Sequence, residues 1–374
     1  MTHTPEPDED DLYARAPAQP VFHVEQALLG ALLLDPHRLD DVSGITADSF
    51  STTAHAALYA AITTLPRPDP AEHAKNTTWL DRVLATAREQ ARALTASDLH
   101  ALIQVCPWPR HAAAYARMVE AEHARRRLQT AAEHLVHTVH DHSHPHPVQT
   151  VLTETDSLST VVDDIATRFP PRAGLLPRTT TPPPPAAPDP TEAVEEEQIL
   201  LATATAYPAA IEAVRWLLPD DLTLPLHAGL WQCLTALARH NEPVDPVTVL
   251  WEAQQRGLLD HGSHPCEVLR MLAEPAVSVE HWGERALQRS LLATADHTGR
   301  QIMAYADDPA NTPFQLVVGA RRALADIAAV RTRWQHATAP PSCPPPRRRP
   351  APTTRAGPPT TTAAPTAPST RATR

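Results

Sequence analysis

Lysine and aromatic residues are scarce in this sequence, and their scarcity excludes one kind of site and favours one class of fold. The 374 residues include a single lysine, Lys75, and aromatic residues make up 4% of the chain. The phosphate-cradling loop of nucleotide hydrolases ends in Gly-Lys-Ser/Thr, whereas Lys75 follows an alanine, so the sequence contains no such loop. With few aromatic rings available, alanine and leucine must fill the interior, which favours closely packed helices over a sheet.

Cysteine is also sparse, and long apolar runs are missing. The 4 cysteines lie far apart and form no CxxC pair, which argues against a disulfide framework and against a zinc site. The longest apolar run, from Ala27 to Leu34, is far shorter than the ~20 residues that cross a bilayer. The N-terminus is acidic and polar, unlike a signal peptide. We therefore expect a cytoplasmic protein without a cofactor.

Charge is unevenly distributed along the chain. The net charge is −11, and acidic runs lie at Asp8 to Asp11 and at Glu195 to Glu197. Three consecutive arginines, Arg347 to Arg349, open a basic tail that ends at Arg374. An acidic protein of this kind is not a general nucleic-acid binder through long-range attraction.

One pattern occurs twice, with the same spacing in both copies. Glu25 and His55 recur as Glu197 and His227, 172 residues further along in each case (197 − 25 and 227 − 55). Without a gap, Glu-Gln-x-Leu-Leu at Glu25 falls on the same letters at Glu197, and His-Ala-x-Leu-Tyr at His55 falls on His-Ala-x-Leu-Trp at His227. The register holds as far as Leu65, which indicates that one domain type has been duplicated.

Apolar spacing within each copy is typical of helices. The leucines from Leu28 to Leu33 form a stripe that stops before Asp35-Pro36. In the second copy, Asp245 can cap a helix that ends at Gly257. Strand signals are nearly absent, because β-branched and aromatic residues do not alternate over a useful length. The sequence therefore predicts an all-α fold.

Each copy continues into further helices. The first copy has a helical composition over Thr78 to Ala93. A long helix is predicted over Tyr115 to Asp141 and again over Trp282 to Asp307, and a last helix over Val148 to Phe169 and again over Phe314 to Trp334. The predicted organisation is a disordered acidic N-terminus over 1–19, a first helical domain over 20–170, a Pro-rich linker over 171–190, a second helical domain over 191–337 and a disordered Pro/Thr/Arg tail over 338–374.

The residues of the first copy carry a family resemblance. Three stretches resemble the N-terminal domain of DnaB-type replicative DNA helicases: Glu25 to Pro36, Asp48 to Phe50, and His55 followed by Leu58-Tyr59. The second copy departs from that pattern where alanine replaces Gly30 and leucine replaces Phe50. It keeps a later part of the pattern better, from Glu242 to Val249 and from Arg256 to Leu259.

The resemblance implies a fold and a set of partners. In that family the domain is a small helical bundle ending in a helical hairpin and followed by a linker helix. The hairpins pair head to head and build a collar that docks primase and helicase loader. This chain resembles the collar, duplicated, without the motor domain that would carry the phosphate-cradling loop. The resemblance thus implies two tandem bundles, each with a trailing linker-type helix, while the proline-rich composition predicts that the linker and the tail are disordered.

The repeated glutamate and histidine have a structural explanation that we prefer to a catalytic one. A glutamate in a first helical turn favours the positive end of the helix dipole, and we expect Glu25 and Glu197 there. A histidine that opens a helix can bond to the acidic turn before it, and we expect His55 and His227 to do so. No nearby nucleophile with an orienting carboxylate stands at a recognisable spacing. We predict no catalytic residue.

A histidine-rich stretch over residues 134–146 could bind a divalent metal, because it contains His-x-x-His-x-x-His and His-x-His-x-His. Only Asp141 could complete such a site, and a solvated helix end is the simpler interpretation, so we predict no metal. Arg125 to Arg127 could face a partner or form a solvated helix face, and the two interpretations have equal weight. The candidate partner interface consists of aromatic residues, a methionine and arginines on the two long helices: Tyr115, Met118, Arg125, Arg126, Trp282, Arg285 and Arg289.

The sequence thus predicts a non-enzymatic module for protein–protein interaction in or near DNA replication. We expect an adaptor or competitor that acts on helicase, primase or loader in the primosome, with the two repeats paired within the chain or in a homo-oligomer. The alternative is a regulatory or DNA-associated protein whose arginine-bearing tail touches nucleic acid weakly. A hydrolase or metal enzyme built on the histidine stretch is a third interpretation, and metal analysis would test it.

Overall fold

A computed structural model describes residues 20–171, 174–183, 190–259 and 264–339. Every regular element in these ranges is helical, and none is a strand, so the predicted all-α fold is confirmed. The predicted disordered N-terminus over 1–19 and nearly all of the predicted tail lie outside the described residues. Among the described helices, none combines the length and apolar character needed to cross a membrane.

The described residues of the first repeat form seven α-helices. These are α1 (Pro20–Leu34), α2 (Thr53–Thr64), α3 (Pro70–His73), α4 (Thr78–Ala87), α5 (Ala96–Val105), α6 (Ala112–His140) and α7 (Pro147–Arg168). Those of the second form six: α8 (Pro190–Ala206), α9 (Pro225–Arg239), α10 (Pro246–Gln255), α11 (Pro265–Leu272), α12 (Val279–Asp307) and α13 (Pro313–Thr338). Helix α4 is shorter than predicted, and the sequence did not predict α3, α5 or α11.

Local signals explain several of these boundaries. The side chain of Asp245 accepts hydrogen bonds from the backbone N–H groups of Val247 and Thr248, so the predicted cap of α10 is confirmed. Gly257 has a φ of 68°, which an L side chain rarely adopts, and it stops the chain from continuing as a helix.

Helix α1 lies at the centre of the first bundle. Its residues from Ala27 to Leu33 are all buried, as expected of a helix that is apolar around most of its circumference. Around it pack α2, α5 and the first part of α6. Because aromatic residues are few, leucines and alanines fill this interior, together with Tyr59 and Trp79.

The buried core does not divide at the Pro-rich linker. One cluster of buried side chains extends from Leu28 to Val119. A second begins at Ala124, still within α6, and continues through α7 and the whole second repeat as far as Val330. The second half of α6 and all of α7 therefore share their core with the second repeat.

The two long hairpins pack against each other. Helices α6 and α7 form one hairpin, α12 and α13 form the other, α6 lies against α12, and α7 lies against α13. The two long helices run in opposite directions, since Arg125 in the first half of α6 reaches Ala306 near the end of α12. Helix α7 is joined to α13 at the surface by Asp163, which accepts a hydrogen bond from Arg321 over 2.7 Å.

Small residues let α6 and α12 approach closely. A Cβ atom added to Gly299 would lie 2.5 Å from Val136 Cγ2 and 3.2 Å from the carbonyl oxygen of Ala132. Ala132 and Gly299 occupy the same place in their helices, 20 residues from the first one (132 − 112 and 299 − 279). Equivalent residues that face each other are the mark of an approximate two-fold axis.

The described part of the linker differs from the disordered tether that was predicted. Residues 174–183 lie along α12 and α13, where the side chain of Gln315 donates a hydrogen bond to the carbonyl oxygen of Leu176 over 2.8 Å. A Cβ atom on Gly319 would lie 2.5 Å from Pro177 Cγ, so the glycine makes room for the linker. Polar side chains on the second hairpin hold this stretch, a feature that its proline-rich composition does not reveal.

Candidate interaction surfaces and buried pairs

The recurring glutamate and histidine of the first repeat form a buried pair. Glu25 on α1 is 0% exposed, and its Oε2 atom accepts a hydrogen bond from His55 Nδ1 over 2.7 Å. The same carboxylate accepts from the backbone N–H of Ser51 over 2.7 Å and from its hydroxyl over 2.8 Å. A buried carboxylate needs such partners, because an unpaired charge away from water is costly.

The second repeat builds the same pair with the same geometry. Glu197 on α8 accepts from His227 Nδ1 over 2.7 Å and from the backbone N–H of Thr223 over 2.8 Å. Arg289 approaches the same carboxylate at 3.7 Å, an additional contact across to α12. In both copies the pair ties the first helix of the bundle to the start of the second.

The helix-dipole explanation of these glutamates is wrong. Helix α1 begins at Pro20 and α8 begins at Pro190, so Glu25 and Glu197 lie beyond the first turn. The histidine rings bond to the glutamates and not to the preceding turn. The equal spacing of glutamate and histidine in the two copies was the signal that could have predicted a direct contact.

Arg125 connects the two repeats. Its guanidinium donates to the carbonyl oxygens of Ala306 and Asp308 over 2.8 Å each, and to that of Asn311 over 2.6 Å. These oxygens belong to the end of α12 and the turn after it, where carbonyl groups have no partner within the helix. Arg125 thus holds the end of the partner hairpin with three charge-assisted hydrogen bonds.

The two arginines that follow have other partners. Arg126 donates to the carbonyl oxygen of Ser49 over 2.6 Å, within the first repeat, and Arg127 lies 2.6 Å from Asp164 on α7. Burial, with help from the charges of Arg126 and Arg127, lowers the pKa of His123 below its usual value of 6.5. The arginine run therefore fastens α6 to three different elements.

Tyr115 and Met118 lie on the first turns of α6. Tyr115 is partly buried against the core of the first bundle, whereas the side chain of Met118 is 52% exposed. Nearby in the chain, Trp108 is 55% exposed, and the guanidinium of Arg110 lies 4.8 Å from its ring centroid. The structure leaves Met118 and Trp108 accessible to a partner.

The matching stretch of the second repeat is built differently. Trp282 is half-buried against the core. Arg285 donates to Glu196 Oε1 over 2.9 Å, and Arg289 binds the other oxygen of the same carboxylate. The first repeat has Val24 in place of Glu196. These two arginines are therefore occupied within their own bundle.

Asn311 is a buried junction that the sequence analysis missed. Its side-chain oxygen accepts from the backbone N–H of Arg178 over 2.7 Å, and its amide donates to the hydroxyl of Thr179 over 2.8 Å and to the carbonyl of Tyr305 over 2.9 Å. The hydroxyl of Thr179 in turn donates to the carboxylate of Asp308. This hydrogen bond, together with a second one from the backbone N–H of Ala310, lowers the pKa of Asp308. One residue thus joins the linker to the second hairpin, and its backbone oxygen meets Arg125.

The histidine-rich stretch lies partly in the contact between the repeats. His140 Nε2 is 3.0 Å from Asp296 on α12, and His144 Nε2 is 3.3 Å from Asp141. Among the described residues, no group of three or more His, Cys, Asp or Glu side chains is arranged to hold a metal ion.

A comparison with known protein families matches two tandem segments of the chain. Residues 18–121 and 189–286 match the family described as "DnaB-like helicase N terminal domain", and together they make up more than half of the chain. Each matched segment contains one bundle and ends within the long helix that follows it. No curated protein and no solved structure matches the chain.

Proposed function

Because this chain belongs to the family of DnaB-like helicase N-terminal domains and carries the domain twice, we propose that it binds other replication proteins and catalyses no reaction. The match covers a part of the helicase that does no chemistry, and the sequence has no phosphate-cradling loop. The family match supports a replication-related, helicase-like module. The specific role that we propose is that of an adaptor or a competitor.

The observation that carries the proposal is the contact between the two hairpins. In DnaB-type helicases the hairpins of different subunits pair, whereas here α6 and α7 pack on α12 and α13 of the same chain. Covalent connection raises the effective concentration of one partner at the other to roughly the millimolar range. One chain therefore supplies a complete pair, and its two hairpins need no second subunit.

The paired hairpins leave other surfaces for partners. The exposed side chains of Trp108 and Met118 belong to the first repeat and precede Arg125, whose bonds to α12 they do not share. A helicase collar, a primase or a helicase loader are the partners that this family implies. Binding to a helicase collar would make the protein a competitor, and binding two of these partners at once would make it an adaptor.

A direct binding experiment tests the proposal. The full chain, carrying a fluorescent label, is titrated with the purified replicative helicase, primase and loader of the same organism. We expect a complex with at least one of them at micromolar concentration, and a ternary complex separates an adaptor from a competitor. If none of the three binds, the proposal is wrong. Salt-sensitive binding to DNA that is lost on deleting residues 339–374 would favour the alternative of a DNA-associated protein.

A further inference from the structure

The two repeats differ beside the buried histidine, and on the second one this histidine lines a cleft. In the first repeat the ring of Phe22 stacks on the ring of His55, with 4.9 Å between the centroids. The register of the duplication places Val194 where the first repeat has Phe22 (194 − 22 is again 172). A cleft of about 870 Å³ lies between α8, the start of α9 and α11, and His227 is among its lining residues.

The floor of this cleft is more apolar than the equivalent positions of the first repeat. Ile199, Leu224 and Leu226 line it. At the same register the first repeat has alanine, threonine and alanine, at positions 27, 52 and 54. The second repeat therefore has larger apolar side chains at the place where it lacks the covering aromatic ring. Burial of such side chains by an incoming apolar group is favourable.

The rim of the cleft is acidic. Glu195, Glu267 and Glu274 line it and are exposed, and none of them forms an ion pair with any residue that the structure describes. Arg270 is the one arginine among the described lining residues. Unpaired carboxylates around an apolar floor attract a positively charged partner and raise its rate of association.

We propose that this cleft binds a basic segment of a partner protein, which inserts an aromatic side chain beside His227. The inserted ring takes the place that Phe22 takes beside His55 in the first repeat. Lysine or arginine residues flanking the ring pair with the three glutamates of the rim. The inference deepens the proposed function and rests on it only in that the chain binds other proteins.

The probe for this site is a fluorescein-labelled peptide of 15 residues with one central phenylalanine and four lysines in an alanine background. Two matched peptides replace the phenylalanine by alanine, or the lysines by glutamate. With the full chain, we expect fluorescence polarisation to show saturable binding of the first peptide and binding at least tenfold weaker for each of the other two. If the peptide with alanine in place of phenylalanine binds as tightly as the probe, charge attraction alone accounts for the binding, and the proposal is overturned.

The decisive variant copies the first repeat onto the second. Val194→Phe places a ring over the cleft, and we expect it to weaken peptide binding at least tenfold, whereas the matched control Val194→Ile leaves it within about twofold. A tenfold change corresponds to about 1.4 kcal/mol. Unchanged binding to Val194→Phe, with an unchanged circular dichroism spectrum, overturns the proposal.

A second variant does not depend on how the chain accommodates a new ring. Glu267→Gln combined with Glu274→Gln changes only exposed side chains, and we expect it to weaken binding and to reduce its salt dependence. If the double variant binds like the original chain, the acidic rim has no role and the inference fails. Complexes with helicase, primase or loader are measured separately, so the loss of the cleft proposal leaves the proposed function standing.

Discussion

The guanidinium of Arg125 donates a hydrogen bond over 2.6 Å to the backbone oxygen of Asn311, and so fixes the first repeat to the turn between α12 and α13. Two residues 186 positions apart meet here. Asn311 also holds the linker, so the contact between the hairpins and the path of the linker depend on one turn.

Removing Arg125 tests how much this connection contributes. In Arg125→Met the apolar stem is retained, but three carbonyl oxygens lose their donor, and we expect the free energy of unfolding to fall by about 2–3 kcal/mol. Urea denaturation followed by circular dichroism measures the loss. The control is Arg127→Met, whose partner Asp164 is exposed, and for which we expect less than about 1 kcal/mol. Equal losses for the two variants would contradict the prediction.

The crossing of α6 and α12 is sensitive to side-chain volume. In Gly299→Leu the new side chain collides with Val136 and with the backbone at Ala132, and we expect a loss of about 1–3 kcal/mol or more. Small-angle X-ray scattering should show the hairpins separating. Ala293→Leu adds a large side chain to an exposed position of the same helix and should leave both measurements unchanged. An unaltered scattering profile for Gly299→Leu would rule out this crossing.

The two glutamate–histidine pairs should be similarly important. Glu25→Ala and Glu197→Ala each leave a buried histidine and a backbone N–H without their acceptor, and we expect each to cost about 3–5 kcal/mol. Thermal unfolding of each variant measures this cost. Glu89→Ala, at an exposed position, is the control. A loss below about 1 kcal/mol in either copy would show that its pair is dispensable.

Acid should weaken the fold through His123. Its pKa is lowered in the folded chain by burial and by two neighbouring arginines, so the unfolded chain binds a proton more readily. The stability linked to this group is complete above the ordinary pKa of 6.5 and is lost as the pH falls below it. In His123→Gln we expect a smaller loss of stability between pH 7 and pH 5 than in the original chain, by urea titration at each pH. Parallel curves for the two proteins would refute this.

Replacing Asn311 should release the linker from the second hairpin. In Asn311→Ala the bonds to Arg178 and Thr179 are lost, so we expect trypsin to cut after Arg178 at least several-fold faster. The cleavage products are identified by mass spectrometry. Asn76→Ala, an exposed substitution in the first bundle, serves as the control. Cleavage at an unchanged rate would mean that the linker is held by other contacts.

Much of the local structure could be predicted, because it depends on neighbours in the chain. The spacing of apolar residues predicts α1, the long helices α6 and α12, and the last helices α7 and α13. The short helices α3, α5 and α11 were missed, since a few turns give too little periodicity. The position of Glu25 was misread, although Pro20 and Pro190 stand where proline commonly opens a helix.

The contacts between the repeats could not be predicted residue by residue. Arg125 binds main-chain oxygens, which every residue carries, so its partners leave no trace in the sequence. The role of Asn311 depends on the path of the linker, and that path depends on the packing of α12 against α13. The duplication itself was visible, and with it the equal spacing that joins glutamate to histidine in both copies.

The shared core that begins at Ala124 has a consequence for synthesis on the ribosome. Helix α7 ends at Arg168 and its packing partner α13 begins at Pro313, so 145 residues (313 − 168) separate their emergence. At the usual pace of translation this delay amounts to roughly 7–30 s, during which the side of α7 that packs on α13 is uncovered. The first bundle can close during that interval, whereas the hairpin behind it keeps apolar side chains exposed until the rest of the chain arrives.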